Sequence, residues 1–378
     1  MLLQPTGCLA CHSALPPDLP DAAPPIRTQV WELAPISPHI TDYQQRTLCC
    51  PICHHHVQAG RPVEAPPGAF GPRLTALIGL LHGRYRLSAR ETVAFLAEVT
   101  GVAVSTGSIM RSCARVSAAV APVDATIQGA VAHHPILHVD ETGWHEGGQR
   151  GWLWAAVSPV ATCFRIDRSR SRHALRRLIG EAYAGLVHSD RGSAYTVLPT
   201  HQRQLCWAHL ARNLQGLVDQ GHAESHWAQR MLVEARNLFA AWHAYQGGFF
   251  DQVALQMALI PVRAALAELL TIGASSPWSK LRKLAREVQR HWDALWWFSR
   301  VEGVEPTNNV AERALRPAVL WRKSCFGTQS EEGSRFVERM LSVRATCVQQ
   351  GRDLFAFLTE AVAAAWTGRP APVLVPIP

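Results

Sequence analysis

The feature that most constrains the fold is a change of hydrophobic period between residues 135 and 205. Short apolar or alternating runs of strand length occur there, separated by turn signals such as GGQRG and SPVA: PILHVD, WLWAAVS, TCFRID and GLVHSD. A helical stretch, SRHALRRLIGEAY, lies between the third and fourth runs, and HQRQLCWAH predicts a fifth strand leading into a helix. Three hairpin-like strands followed by alternating helix and strand predict a mixed α/β layer structure.

Helical periodicity precedes this region. Ser88 and Glu91 have the spacing of a capping box before SARETVAFLAEVTG, and Gly101 fits the end of that helix. Either Ser105 or Thr106 is expected to cap the next helix.

The two helices and the turn between them, over residues 87–116, have the layout of a helix–turn–helix. Such a unit places its second helix in the major groove of DNA. Arg111 and Arg115 are the cations on that helix and the candidate DNA contacts. The alternative is a helical hairpin that packs on the next domain.

The remainder divides by composition. Residues 209–300 and 307–366 read as helices, with breaks at Gly247–Gly248 and at 275–277. Proline and glycine punctuate RPVEAPPGAFGP, which predicts a linker. The predicted segments are a zinc module (1–60), a linker (61–72), a helix–turn–helix-like segment (73–130), a catalytic domain (131–366) with a helical insertion at about 215–300, and a tail (367–378).

Two CxxC pairs mark the N-terminal segment: Cys8 with Cys11, and Cys50 with Cys53. Four thiolates from two such pairs form a closed structural zinc site, which would stabilise a segment with little apolar content. Cys49 is an alternative to Cys50, and a thiolate is also replaceable by one of His12, His39 and His54. A redox pair or chance clustering is the competing explanation.

Charge and hydropathy restrict the partners. The 378 residues carry 37 Lys and Arg against 29 Asp and Glu, a net charge of +8, which favours a polyanion. We find no apolar run long enough to span a membrane and no signal peptide at MLLQPTGCLACHS. We expect no membrane partner and a cytoplasmic location, where close cysteine pairs indicate metal rather than disulfides.

Three acids carry most of the functional information: Asp140 in PILHVDETGW, Asp190 in LVHSDRGSAY and Glu312 in PTNNVAERALRP. Asp140 and Asp190 each end an apolar run, as two carboxylates do on neighbouring strand ends of a ribonuclease-H-like fold. Converged carboxylates bind hard cations such as Mg²⁺ or Mn²⁺. A pair of such ions assists in-line displacement at a phosphodiester.

Glu312 is chosen over other acids because Arg313 and Arg316 flank it, and Arg322 and Lys323 continue the basic stripe. Asn308 and Asn309 stand at the cap of its helix. The competing third acids are Glu141, Glu302, Glu305, Glu331 and Glu338. The Cys206-x-x-His209 pair is interpreted as a packed cysteine and a hydrogen-bonded histidine rather than a metal site.

These motifs together resemble the bacterial transposases of insertion sequence 66. The matching segments are DETGW, SDRGSAY, CWAHLARN and NNVAERALRP, and the CxxC pairs and STGSIMR are similar to that family's zinc-binding and helix–turn–helix-like parts. The resemblance implies a DDE transposase with a ribonuclease-H-like core, in which Asp140, Asp190 and Glu312 bind the metal and a helical insertion separates the last two.

The resemblance also implies the partners and the reaction. We expect cleavage and strand transfer at the inverted ends of an element in double-stranded DNA, by a homo-oligomer, with element-encoded accessory proteins. The family usually has a further helical region before the zinc motif. The alternatives are therefore a truncated or impaired copy that only binds DNA, and a ribonuclease-H-like nuclease without strand transfer.

Overall fold

The computed structural model describes residues 3–62 and 65–375. Parts of the predicted zinc module, linker and tail, at positions 1–2, 63–64 and 376–378, lie outside these residues. The N-terminal segment contains one antiparallel hairpin, β1 (Thr47–Cys49) and β2 (His56–Gln58), whose six residues are all exposed. Its large side chains are exposed as well, Trp31 by 90%. Residues 3–62 therefore contribute nothing to the apolar cores of the described chain.

Four helices follow the linker: α1 (Pro72–Gly83), α2 (Ala89–Thr100), α3 (Thr106–Ala119) and α4 (Ala121–His133). The predicted capping box of α2 is confirmed, since Ser88 and Glu91 exchange both hydrogen bonds. Gly101 ends α2 at φ +69°, a left-handed conformation that glycine adopts without strain. Ser105, not Thr106, caps α3 by accepting from the Ser108 N–H.

The predicted mixed sheet is confirmed. Its five strands run in the order β5-β4-β3-β6-β7, with β3, β4 and β5 antiparallel in sequence and β6 and β7 parallel to β3. The strands are β3 (Ile136–Glu146), β4 (Gln149–Val157), β5 (Thr162–Asp167), β6 (Leu186–Ser189) and β7 (Arg203–Leu205). The helix predicted between the third and fourth runs is α5 (Arg172–Ile179).

Strand β3 is longer than the sequence pattern predicts. Asp140 was expected to end the strand, but β3 pairs with β4 as far as Glu146 opposite Gln149. Gly147 and Gly148 both have positive φ, as a two-residue hairpin turn requires. Only the parallel pairing with β6 stops before Asp140, at His138.

The α-helices between β7 and α10 form a core of their own. They are α6 (Trp207–Val218), α7 (Ser225–Gln246), α8 (Gln252–Ala274) and α9 (Ser279–Arg290), and the predicted breaks fall between α7 and α8 and between α8 and α9. Helix α8 is long and apolar enough to cross a membrane, contrary to our expectation from the sequence. One face of it is buried in this core through Leu255, Leu259 and Leu266, while Val253 and Met257 are exposed.

The chain ends with α10 (Asn309–Cys325), α11 (Glu331–Gln349) and α12 (Leu354–Trp366). Helix α3 packs against α1, α2, α11 and α12, so the helix–turn–helix-like segment shares one core with the sheet. Leu374 and Val375, in the predicted tail, are buried in the same core.

The basic run at 165–177 is largely neutralised inside the fold. Five of its six arginines form ion pairs with acids: Arg165 with Asp124, Arg168 with Glu146, Arg170 with Glu141 and Asp190, Arg176 with Glu181, and Arg177 with Asp167. This run therefore supports a polyanion partner less than its composition suggests.

The cap of α3 provides a test of the fold. Replacing Ser105 by alanine removes the acceptor for the Ser108 N–H and is expected to lower the free energy of unfolding by about 1 kcal/mol. Thr106→Ala, one residue later, is the matched control, with an expected change below about 0.5 kcal/mol. Urea unfolding measures both, and equal losses would contradict the assignment of the cap.

Candidate active site

The register of the two central strands brings Asp140 and Asp190 together. Parallel β3 and β6 pair His138 with His188, and each aspartate lies two residues further along its strand direction. Residues two apart on a strand share a face of the sheet, so Asp140 and His138 project to the same side. Asp190 directly follows β6, where its Oδ1 accepts from the Gly192 N–H at 2.7 Å.

Asn308 places the helix that carries Glu312. Its fully buried amide donates to the Val139 carbonyl at 2.8 Å, and its Oδ1 lies 3.1 Å from His138 Nδ1. The sequence suggested a cap of α10, but this side chain makes no capping bond and contacts β3 instead. Glu312 is therefore held in the first turn of α10, beside the strand that carries Asp140.

Helix α6 completes the surroundings of Glu312. Arg212 Nη2 donates to Glu312 Oε1 at 2.9 Å, and His209 Nδ1 lies 3.5 Å from the same oxygen. The start of α6 is fixed to the segment before α10, because the Trp207 N–H donates to the Pro306 carbonyl and the Asn308 N–H to Cys206 Sγ.

Asp140 shows the electrostatic consequence of this convergence. Its pKa is raised to about 7, mainly by burial and also by the carboxylates of Glu141, Asp190 and Glu312. The Glu141 N–H opposes the shift by donating to Asp140 Oδ1 at 2.9 Å. Asp190 and Glu312, although far from Asp140 in sequence, thus both lie near enough to raise its pKa.

The competing acid next to Asp140 in sequence, Glu141, has both carboxylate oxygens bound to other side chains of the chain. Its side chain is buried, Arg170 Nε donates to its Oε1 at 2.5 Å, and the buried Tyr195 hydroxyl donates to Oε2. Arg170 also lies 3.5 Å from Asp190 Oδ2 and therefore links the two carboxylates. A further competitor, Glu338, is buried and accepts from the Ile166 N–H on β5.

A pair of buried histidines lies one strand repeat before the aspartates. The rings of His138 and His188 are tilted with centroids 4.7 Å apart. Burial lowers the pKa of His138 to about 4 and that of His188 well below its usual range. Both rings are therefore neutral at pH 7 and add no positive charge to the acids.

The predicted DNA-contacting cations differ in accessibility. Arg313, Arg316 and Lys323 are exposed along α10, and Arg111 is exposed on α3. Arg322, by contrast, donates to the Gly143 carbonyl on β3. The guanidinium of Arg115 lies against Gly68, so closely that a Cβ added at Gly68 would be 2.7 Å from Arg115 Nη1. Arg322 and Arg115 thus have contacts inside the chain.

The two cysteine pairs form similar turns. After each pair comes a histidine with positive φ, His12 or His54, whose N–H donates to the carbonyl of the first cysteine at 2.9 Å. Hydrogen bonds from Ser13 lower the pKa of Cys11 to about 7. Within the described residues the two pairs are not brought together into a four-thiolate cluster.

The acidic site fits a divalent cation by its donor chemistry. Asp140, Asp190 and Glu312 offer oxygen ligands, the type that Mg²⁺ and Mn²⁺ prefer. Burial and, to a smaller extent, the neighbouring carboxylates of Glu141, Asp190 and Glu312 raise the pKa of Asp140, and a bound cation would stabilise its ionised form.

Several residues of the site escaped the sequence interpretation. His209 was expected to be hydrogen bonded, yet its buried Nδ1 has no hydrogen-bond partner among the described residues. The roles of Arg170, Tyr195 and Arg212 follow from contacts across tens of residues, which no local pattern indicates. The sequence showed Asn308 as a polar residue before a helix, but it did not show that its side chain contacts β3.

A mixed sheet with acids on its two central strands, and a third acid on a helix tied to them, defines an α/β protein with an acidic site. Comparison with known families agrees with the sequence motifs. The model described as "Transposase IS66 family" matches residues 67–335, and the chain belongs to that family.

Two relatives are uncharacterized proteins of Sinorhizobium fredii (strain NBRC 101917 / NGR234). The protein y4qI is 27% identical over 245 residues, which cover 59% of this chain and 45% of that protein. The protein y4hP is 24% identical over 398 residues, which cover 95% of this chain and 70% of that protein. The chain thus spans less than half of y4qI.

The raised pKa of Asp140 predicts how stability depends on pH in metal-free protein. The folded state retains this proton up to about pH 7, whereas an unfolded aspartate loses it near pH 4. The contribution of Asp140 to stability is therefore full below about pH 4 and is lost as the pH rises to about 7.

Asp140→Asn should accordingly stabilise the chelator-treated protein at pH 8, by on the order of a few kcal/mol, and have little effect at pH 4. Thermal unfolding at the two pH values measures this. Glu360→Gln, at an exposed position on α12, is the control and should show no such difference. Equal melting temperatures of wild type and Asp140→Asn at pH 8 would contradict the charge repulsion.

Proposed function

We propose that this chain is a DDE transposase that binds the inverted ends of its element and catalyses strand cleavage and strand transfer. In this proposal Asp140, Asp190 and Glu312 hold two Mg²⁺ or Mn²⁺ ions. The observation that supports it is the proximity of β3, β6 and α10: the strand register and the Asn308 contacts bring together the elements that carry the three acids, and Asp190 and Glu312 both contribute to the raised pKa of Asp140.

The sheet supports a ribonuclease-H-like core. Three antiparallel strands are followed by two strands parallel to the first, in the order β5-β4-β3-β6-β7, with a helix between the third and fourth. This order places the first and fourth strands, which lead to the two aspartates, side by side at the centre. The helices α7, α8 and α9 then form an insertion between the second and third acids.

The chemistry follows from charge and position. Bound cations would neutralise the scissile phosphate and lower the pKa of the attacking water or 3′-hydroxyl. The chain's own contribution is to hold the three carboxylates in place and to present positive charge to the DNA backbone. Glu312 stands in the first turn of α10, where the helix N-terminus favours negative charge and phosphate.

Double-stranded DNA is the proposed partner. Arg313, Arg316 and Lys323 leave their charges exposed on the helix that carries Glu312, and Arg111 does so on α3. Such cations bind phosphates without reading sequence. The same proposal includes recognition of the ends by the α2–α3 unit, oligomerisation on DNA and help from accessory proteins. It places the protein in the cytoplasm.

Neutral replacement of the acids tests the catalytic proposal. Asp140→Asn, Asp190→Asn and Glu312→Gln should each lower Mg²⁺-dependent cleavage of labelled element ends more than about 100-fold, because loss of outer partners alone costs 10–100-fold at metal sites. End binding, measured by mobility shift, should persist. Glu98→Gln, an exposed position on α2, is the matched control and should cleave normally.

Three outcomes would favour a different metal site or a different function. Cleavage by Asp140→Asn at the control rate would remove this residue from the metal site. Cleavage without joining of donor ends to a supercoiled target would indicate a nuclease without strand transfer. End binding by wild type without any Mg²⁺- or Mn²⁺-dependent nicking would indicate a copy that only binds DNA.

We also propose that Cys8, Cys11, Cys50 and Cys53 bind one structural Zn²⁺. The two matched turns support this, as does the lowered pKa of Cys50, to which the Cys53 N–H contributes most. The described part of the module, residues 3–60, has no buried apolar core, so a cation would be its main source of stability.

This proposal predicts that Cys53→Ser removes one zinc per chain and makes residues 3–62 more sensitive to protease. Cys325→Ser is the control, because Cys325 is also an exposed cysteine but lies at the end of α10. Metal analysis and limited proteolysis give the result. Unchanged zinc content in Cys53→Ser would refute a structural zinc at these pairs.

A further inference from the structure

A second group of metal-binding side chains lies beside the acids. Cys206 at the start of α6, His209 one turn later and Glu312 on α10 each offer a ligand atom, and these atoms lie within 4.8 Å of one another. Within the described residues no other group of three or more histidine, cysteine or acidic side chains converges so closely. The set of sulfur, nitrogen and oxygen donors is unlike the all-oxygen set of the triad.

The separation of His209 and Glu312 fits two ligands of a tetrahedral ion better than a hydrogen bond. His209 Nδ1 and Glu312 Oε1 are 3.5 Å apart, which is long for an N–H···O bond. Two ligands at about 2.0–2.1 Å from a tetrahedral Zn²⁺ are separated by roughly 3.4 Å. His209 Nδ1 is also buried and has no hydrogen bond among the described residues, although a buried polar atom normally has one.

The sulfur of Cys206 has surroundings suited to a thiolate. The buried Sγ accepts a hydrogen bond from the Asn308 N–H at 3.2 Å, an interaction that favours a thiolate over a neutral thiol. A bound divalent ion would supply the positive charge that burial demands and would displace the thiol proton to solvent.

We infer that Cys206, His209 and Glu312 form a separate site for a borderline-soft divalent cation, with Zn²⁺ as the reference ion. Water would fill the remaining coordination position. Because Mg²⁺ avoids thiolate and imidazole, this site and the triad select different ions. They share Glu312, so an ion in the soft site withdraws that carboxylate from Asp140 and Asp190.

The consequence for activity rests on the proposed function, whereas binding does not. Zn²⁺ at this site should inhibit Mg²⁺-dependent DNA cleavage by competing for Glu312. Glu312 would then be available to the triad only when thiophilic metal is scarce. Transposition would therefore depend on the metal supply of the cell.

Binding is tested first, on the full chain. Wild type should bind one more Zn²⁺ per chain at saturation than Cys206→Ala or His209→Ala, and the Co²⁺-loaded wild type should show a thiolate charge-transfer band that weakens in both variants. Cys325→Ala is the control and should match wild type. His209→Ala keeps the test valid if the buried Cys206 is needed for folding, because His209 is part-exposed.

Equal zinc content and identical Co²⁺ spectra in all four proteins would overturn the site. Inhibition is tested as the Zn²⁺ concentration that halves cleavage at fixed Mg²⁺, relative to each protein's own rate without Zn²⁺. This concentration should rise at least tenfold in His209→Ala. An inactive wild type that still loses one zinc on mutation would refute the proposed function and leave the soft site standing, whereas normal cleavage with equal zinc content would refute only the soft site.

Discussion

The buried amide of Asn308 is the contact on which the site depends. It joins the start of α10 to β3 through the Val139 carbonyl and His138, across about 170 positions of sequence. Its backbone N–H adds the start of α6 through Cys206 Sγ. Because the amide is fully buried, its loss would leave polar groups unpaired, at a cost of about 1–3 kcal/mol for each. This contact holds α10, and with it Glu312, beside the strand that carries Asp140.

The acids themselves oppose folding. Burial and mutual repulsion make ionised Asp140 unfavourable, and the neutral histidines next to it do not compensate. Arginines relieve part of the repulsion, since Arg170 lies between Glu141 and Asp190 and Arg212 contacts Glu312. A cluster that costs stability and persists is typical of a site kept for binding or catalysis. The apolar core shared by α1, α3, α11, α12 and the sheet stabilises the fold and so offsets that cost.

The sequence predicted the parts of the structure that depend on local rules. Strand and helix periods located the five-stranded sheet and its helices, and the capping box at Ser88 was identified from spacing alone. The continuation of β3 beyond Asp140 was missed because the pairing with β4, rather than the local pattern, determines its length. Likewise, the composition of the basic run at 165–177 does not show that most of its arginines pair with acids, several of them distant in sequence, as the fold does.

The residues of the candidate site likewise divide into those that the sequence predicted and those that it did not. Motifs led to Asp140, Asp190 and Glu312, since an acid that follows a short apolar run or opens an arginine-rich helix is recognisable in sequence. Their surroundings were not recognisable, because Tyr195, Arg212 and His209 reach the acids through tertiary contacts. Cys206 and His209 were considered as a pair and set aside for want of further ligands. The missing third ligand is Glu312, more than a hundred positions later.

The most direct test is a crystal structure of the full chain soaked in Mn²⁺, with the ions located by anomalous scattering. The account predicts a peak within about 2.0–2.2 Å of carboxylate oxygens from both Asp140 and Asp190, with Glu312 bound to the same ion or to a second one about 4 Å away. Mn²⁺ bound elsewhere, with the three carboxylates free of metal at saturating concentration, would contradict it.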